Sequence, residues 1–339
     1  MSALATPAAA HAGFVAASPA PGSGLPQAPG AVVLRFTEPL NYGLSSVRVV
    51  DAAGDEVTAG PATPVEGDPQ AIERPLGLLV PGQYTVRWTT VSTIDGHALH
   101  GSYGFGVGTS APPNERVSAT PLASEGIAGL TGRLLGLAGL VLWLGAVLLQ
   151  PVALGAGVPV PALRRLARLG PLLALVGTVL SLTASAWLAV GSPTAVGAVL
   201  AGQSGRLRAT VVVAAAVASV TGASPSPIGR VLALVAVVAE AASGHAAGTR
   251  LPLVATASFA VHLAAVAAWL YALLAAALAR AGALAALKAF APAAVTAAAL
   301  VGVTGAGNAV LNLAGPAQLL STGYGRACSA RCCCLSSWR

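Results

Sequence analysis

The acidic residues of this chain run out at Glu125. Ten of its eleven Asp and Glu residues lie between Glu38 and Glu125, and only Glu240 lies beyond. Past that point the chain is a succession of apolar runs, and over its 339 residues it is 55% hydrophobic but only 9% charged. A soluble domain carries about 25% charged residues. The mean hydropathy of +0.76 excludes disorder, which needs low hydrophobicity and high net charge. The acid boundary therefore divides an aqueous first part from a lipid-embedded second part. The net charge of +7 does not signal nucleic-acid binding. The basic residues are almost all Arg and punctuate apolar runs instead of clustering on one polar face, which suits the positive-inside rule for membrane loops.

Residues 1–10 are short, apolar and end in small residues before His11. They read as the remnant of a signal peptide whose start lies upstream of Met1; an uncleaved, disordered N-terminus is the alternative. Residues 11–108 read as an all-β sandwich. AVVLRFTEPL sets Val32, Leu34 and Phe36 against Val33, Arg35 and Thr37. SSVRVVDAAGDEV is a strand closed by a turn. GQYTVRWTTVS puts Tyr84, Val86 and Trp88 on one face, and HGSYGFGV does the same with Tyr103, Phe105 and Val107. Such period-2 runs between Pro/Gly turns predict an antiparallel sandwich. Residues 109–125 read as a linker, Pro-, Ser- and Thr-rich as far as 121.

Residues 126–327 read as an all-α polytopic bundle of about six helices, near 127–150, 167–190, 208–223, 229–247, 252–279 and 289–312, compared with the roughly 17–25 residues a span needs. With the β domain outside, Arg164, Arg165, Arg168, Arg230, Arg280 and Lys288 fall inside and Arg206, Arg208, Arg250 and Arg326 fall outside, a modest bias of the expected sign.

Five histidines are present. His11 would become the first residue of the mature chain and offer an amine and an imidazole to one metal. Asp95, His97 and His100 lie in the polar turn TIDGHALHG. An imidazole and a carboxylate added to an N-terminal His give a nitrogen and oxygen set suited to Cu(II) in tetragonal geometry. This part holds no Cys, and Met1 is the chain's one methionine, so a soft Cu(I) site is excluded. The plain alternative is an Asp-Gly turn with surface histidines.

HAGFVAASPAPGSGLPQAPGAVVLRFTEPL followed by LVPGQYTVRWTTVSTIDGHALHGSYGFGV resembles the CopC family of periplasmic copper-binding proteins across nearly the whole domain. The His-Ala start, Ser-Pro-x-x-Gly, Phe-x-Glu-Pro and Val-Ser-x-x-Asp-Gly-His carry the resemblance. It implies a Greek-key sandwich in which His11, Asp95 and His97 hold Cu(II), with His100 as a neighbour. Some family members have a second, Met-rich Cu(I) site; this chain lacks the methionines, so one Cu(II) site is expected. The second part resembles the CopD family, often fused to CopC in bacteria, in ASGHAAG, VHLAAVAAWLYALL, VTGAGNAVLNL and LLSTGYGR. That resemblance implies copper import across the cytoplasmic membrane, with the β domain as external receiver.

Ionisable groups inside a span are functional candidates. Glu240 and His245 are read toward the outer end of one helix and His262 in the outer half of the next, and His245 and His262 are expected to face each other and receive copper. An interhelical hydrogen bond is the alternative for each, or an interfacial location for His245. Thr304, Asn308 and Asn312 form an i, i+4, i+8 stripe, read as packing glue ahead of a polar path. Trp143, Trp187 and Trp269 read as packing or interfacial residues. The tail 328–339, which holds all four cysteines, lacks paired CxxC spacing and reads as a frameshift or truncation rather than a metal site.

The function expected is therefore a non-enzymatic, multi-pass membrane protein of the bacterial cytoplasmic membrane. Its N-terminal domain lies outside and binds Cu(II) for import and homeostasis. The partners expected are copper, lipid and external copper carriers, with no nucleic acid and, lacking a GxxxxGK[ST] motif, no nucleotide. A tethered copper store or sensor is the alternative. A histidine-brace copper oxidase and a haem protein are further ones, which oxidative turnover and a Soret band would reveal.

Overall fold

The computed structural model describes residues 12–110, 121–191, 195–222, 226–249, 251–279 and 282–312. His11, residues 1–10 expected to be a signal-peptide remnant, most of the expected linker, LLSTGYGR and the cysteine tail lie outside them. The described chain divides into two compact units. One runs to Thr131 and includes Leu180–Arg206; the other holds Gly132–Val179 and the chain from Leu207 onward.

The first unit is built on two four-stranded sheets. One contains β1 (Phe14–Ser18), β3 (Ala31–Phe36), β6 (Asp68–Pro75) and β5 (Thr63–Val65), in the order β1-β3-β6-β5. The other contains β2 (Gly24–Leu25), β8 (Ala98–Val107), β7 (Gly82–Val91) and β4 (Ser46–Asp51), in the order β2-β8-β7-β4. Every pairing is antiparallel except β2 with β8. Side chains alternate across each strand, and the inward sets form one core. Val32, Leu34, Phe36 and Ile72 come from the first sheet, and Val47, Val49, Tyr84, Val86, Tyr103, Phe105 and Val107 from the second. The sandwich and the inward faces of β3, β7 and β8 agree with the sequence reading. Burial pushes the Tyr103 phenol above its ordinary pKa.

Two features hold the sandwich at its margins. Glu56 receives a hydrogen bond from Thr58 and lies 3.0 Å from Arg74 of β6 and 3.6 Å from Arg48 of β4, tying the two sheets together. The Thr58 bond first, and then the arginines, hold its carboxyl below the usual range. Trp88 of β7 lies flat over Gly101, its partner on β8, where a Cβ would come within 2.1 Å of the indole. Gly101→Ala must displace this ring. The expected cost is about 1–3 kcal/mol, the usual range for overpacking, read as a lower unfolding midpoint of the sandwich.

The helical elements are α1 (Pro121–Gly155), α2 (Val160–Val190), α3 (Val196–Ala201), α4 (Gln203–Thr221), α5 (Pro227–Ala242), α6 (Pro252–Leu278) and α7 (Ala283–Asn312), with one 3-10 turn at His245–Gly248. Among the described residues, four stretches are long and apolar enough to cross a membrane: Gly126–Gly155, Val160–Leu188, Pro252–Leu278 and Ala283–Leu311. The sequence reading of about six helices is matched by six long ones, but α4 and α5, of 19 and 16 residues, are not among these spans.

The burial pattern is that of a bundle in lipid. Inside are small residues such as Ala215, Ala236, Ala267 and Ala275, with Trp143 among them, while Val213, Val231, Leu253, Val295 and Val303 are more than half exposed. Water would not tolerate so much outward apolar surface. α1 and α2 approach closely enough that a Cβ on Gly177 would come within 2.1 Å of the Gly136 nitrogen, and one on Gly139 within 2.1 Å of the Ala174 nitrogen. Such backbone approach is the usual route to helix association without a hydrophobic drive.

Several helix boundaries differ from expectation. Arg164, Arg165 and Arg168 belong to the first turns of α2, Arg206 and Arg208 to α4, and Lys288 to α7. The helices extend past the apolar runs because Arg and Lys are good helix formers. α5 ends at Ala242, where the Ser243 amide and hydroxyl both donate to the Glu240 carbonyl. His245 is therefore in the 3-10 turn and does not share a helix with Glu240.

Candidate metal centre

The Asp95–His97 turn is built by its own side chains. The Ser92 hydroxyl accepts from the amides of Ile94 (3.0 Å) and Asp95 (3.4 Å). The Gly96 amide donates to the Ser92 carbonyl, and the Ser92 amide to the His97 carbonyl. Gly96 has φ 73°, a left-handed conformation that glycine adopts without penalty. This fold-back lets Asp95 Oδ1 accept from the His97 amide at 3.0 Å. The other carboxylate oxygen, Oδ2, stands 3.0 Å from His97 Nδ1. Asp95 is 1% exposed and His97 6%. Two donors each about 2.0–2.1 Å from an ion, at right angles, lie about 2.9 Å apart. The pair is thus spaced for adjacent positions around one metal.

His100 is placed differently. On β8 the odd-numbered residues Tyr103, Phe105 and Val107 point into the core. His97 shares their parity, and His100, three residues later, belongs to the opposite face. His100 faces Thr89 across β7, and its Nδ1 is 2.9 Å from the Thr89 hydroxyl. The structure brings Asp95 and His97 together and leaves His100 outside the pair. Among the described residues no group of three or more His, Cys, Asp or Glu side chains could hold a metal ion, and His11 lies outside those residues.

The start of the domain is nonetheless anchored near this turn. Ala12 is fully buried. Gly13 and Thr37 exchange two hydrogen bonds, amide to hydroxyl and amide to carbonyl, each 2.9 Å. Phe14 stacks on Trp88 at 5.1 Å. Two residues past Thr37, the Pro39 carbonyl accepts from the Thr93 amide and hydroxyl. The Thr37–Pro39 stretch therefore links the residues after His11 to the turn that carries Asp95. Within it, Glu38 is 5% exposed, a carboxylate that the sequence marks only through its Phe-x-Glu-Pro motif. Its burial continues the even-numbered inward set of Val32, Leu34 and Phe36 two residues past the end of β3.

In the helical unit, His262 lies ten residues into α6, about 15 Å along the axis at 1.5 Å per residue. Its Nδ1 is 2.9 Å from the Thr304 hydroxyl of α7. This is the interhelical hydrogen bond weighed as the alternative, and it places Thr304 of the polar stripe at the α6–α7 seam. Glu240 is half-buried on α5. The backbone of His245 opens the 3-10 turn.

The CopC domain family matches residues 14–108. The chain is 35% identical over 99 residues to Protein YobA of Escherichia coli K12, a stretch covering 29% of this chain and 79% of that protein. The chain belongs to the CopC family. Protein YobA of Shigella flexneri matches to the same extent. Among solved structures, CopC from Methylosinus trichosporium OB3b is 28% identical, with a TM-score of 0.27, over 32% of this chain and 99% of that one. PcoC, a methionine-rich copper resistance protein from Escherichia coli, is 28% identical, with a TM-score of 0.26, over 29% of this chain and 99% of that one. The CopC domain thus coincides with the sandwich, and the helical residues lie beyond its match.

Proposed function

We propose that this chain captures Cu(II) outside the bacterial cytoplasmic membrane and passes copper to its helical part, for import and copper homeostasis. The observation that carries the reading is the buried Asp95–His97 pair, its side-chain atoms 3.0 Å apart, in a CopC domain whose first described residues are tied to the same turn. His11 completes the set with its amine and imidazole, and His100 stays outside it. Nitrogen and oxygen donors with no sulfur suit Cu(II). PcoC is methionine-rich by its description; here Met1 is the one methionine, which supports a site without thioether ligands. The work of these residues is to bind and release a cargo ion, so the chain is a carrier rather than an enzyme.

The four membrane-capable helices support a multi-pass placement with the CopC domain outside. The sandwich and Leu180–Arg206, which runs from the end of α2 through α3 into the first turn of α4, belong to one compact unit, which supports putting the sandwich and the α2–α4 connection on the same side. The seam of His262 and Thr304, with Glu240 and His245, is the proposed path for copper in the helical part. Cells expressing the full chain should accumulate copper above an empty-vector control, and the purified protein should bind Cu(II). Failure of both overturns the reading. Binding without flux into vesicles would instead establish a membrane-tethered store.

A further inference from the structure

The metal turn is held from a second direction, by residues about a hundred positions away in sequence. Asn41 Nδ2 donates to the Ala198 carbonyl of α3 at 2.7 Å. At the first turn of α4, the Ser204 amide donates to the Thr93 carbonyl at 3.3 Å and the Ser204 hydroxyl to the Asp95 carbonyl at 3.2 Å. Ser204 is 3% exposed and Asn41 7%. The fit is close: a Cβ on Gly96 would come within 3.2 Å of the Ser204 hydroxyl, and one on Gly43 within 3.2 Å of the Ala198 methyl. Arg206 Nη1 donates to the Ala201 carbonyl, closing the loop behind Ser204.

These contacts engage the two carbonyls that flank Ile94, immediately before the Asp95–His97 pair. Without Ser204, the Asp95 carbonyl loses its donor in a buried setting, which costs more than the bond's net worth. The turn would relax to hydrate it, and the angle between the carboxylate and the imidazole would relax too. We propose that the segment from Ala195 to Ser204 is a clasp on the metal turn. Ser204 is its positioning residue, so that clasp docking and Cu(II) binding strengthen each other. The proposal rests on the Cu(II) reading of Asp95 and His97. It makes the segment linking α2 to α4 the part of the chain that senses whether the site is loaded, because linkage is reciprocal: whatever the clasp adds to metal affinity, the metal adds to clasp docking.

The test uses the full chain in detergent or nanodiscs, with Ser204→Ala and, at the far end of the clasp, Asn41→Ala. The second variant removes a side-chain bond to α3 and leaves the backbone bonds of Asn41 and Pro39 to Val91 and Thr93 in place, so it tests the clasp apart from the Ser204 contact. Each variant should weaken Cu(II) binding about three- to tenfold, the equivalent of one hydrogen bond, and Ser204→Ala should shift the hyperfine splitting in the Cu(II) paramagnetic resonance spectrum. In wild type, Cu(II) should slow amide hydrogen exchange in residues 196–206, and each variant should reduce that slowing. Wild-type affinity in both variants, with exchange in 196–206 indifferent to copper, overturns the clasp and leaves the copper reading standing. A wild-type chain that takes up no Cu(II) overturns both.

Discussion

Replacing His97 with alanine is expected to reduce Cu(II) affinity by more than the roughly 10- to 100-fold that loss of an outer-shell partner costs in metal sites. His97 supplies an imidazole at 6% exposure, with Nδ1 3.0 Å from Asp95 Oδ2. Its loss removes a donor and leaves a buried carboxylate facing a void. Asp95→Asn is the sharper companion. An amide oxygen can still accept from the His97 amide, as Asp95 Oδ1 does at 3.0 Å, so the turn persists while the ligand's charge is lost. A large fall in affinity with an unchanged unfolding midpoint would identify Asp95 as a ligand and not only a turn residue. His11→Ala tests the third donor in the same titration. His100→Ala should bind as wild type does, because its ring is on the other face beside Thr89. Competition titration against a chelator of known affinity, with resonance spectra of each loaded variant, provides the measurement. Wild-type affinity in His97→Ala would remove the basis of the copper reading. Binding should also weaken in acid, since the ligands must shed protons to accept the metal.

Gly177→Val is expected to have the largest effect on the helical part. The added Cβ would lie 2.1 Å from the Gly136 nitrogen and 2.6 Å from the Gly132 carbonyl oxygen. Both are backbone atoms of α1, so no rotamer change relieves the clash and the two helices must separate. Overpacking usually costs about 1–3 kcal/mol, and more where the backbone has to move; here the outcome should be at or above the top of that range. The separation would also strip contacts across the α1–α2 seam, where association depends on close packing. The readout is loss of the monodisperse species in detergent, with a lower unfolding midpoint. Gly302→Val on α7 is the control, because a Cβ there meets nothing within 4 Å and it should behave as wild type. Equal stability of the two variants would show that the close α1–α2 approach is not what holds the bundle.

Much of this protein is legible in the chain itself. β3, β4, β7 and β8 follow from alternation, since a strand with one buried face must place apolar residues at every second position. The fall in acidic residues after Glu125 is plain in the chain, as the cost of burying charge in hydrocarbon would require. The Asp95-Gly96-His97 sequence marks its own turn, because a left-handed residue there calls for glycine. β6 is less visible: DPQAIERP mixes Pro and charges with only Ala71 and Ile72 buried in its centre, so its pairing with β3 rests on sheet partners that sequence periodicity does not reveal. The short strands β1, β2 and β5 carry too few residues for a period to emerge.

The sequence by itself determined the apolar character of the helical part, the core faces of the sandwich and the residue types in the Asp95–His97 turn. All of these depend on local composition and on the two-residue period of a strand. Only the tertiary structure decided how those turn residues are held. It placed Asp95 and His97 within 3.0 Å of each other and turned His100 away. It closed the first turn of α4 over the Asp95 carbonyl, 109 residues distant along the chain. The reason is physical: a hydrogen bond to a backbone carbonyl needs only a donor at the right point in space, and serine and asparagine donors are common enough that nothing in their sequence marks which of them will arrive there.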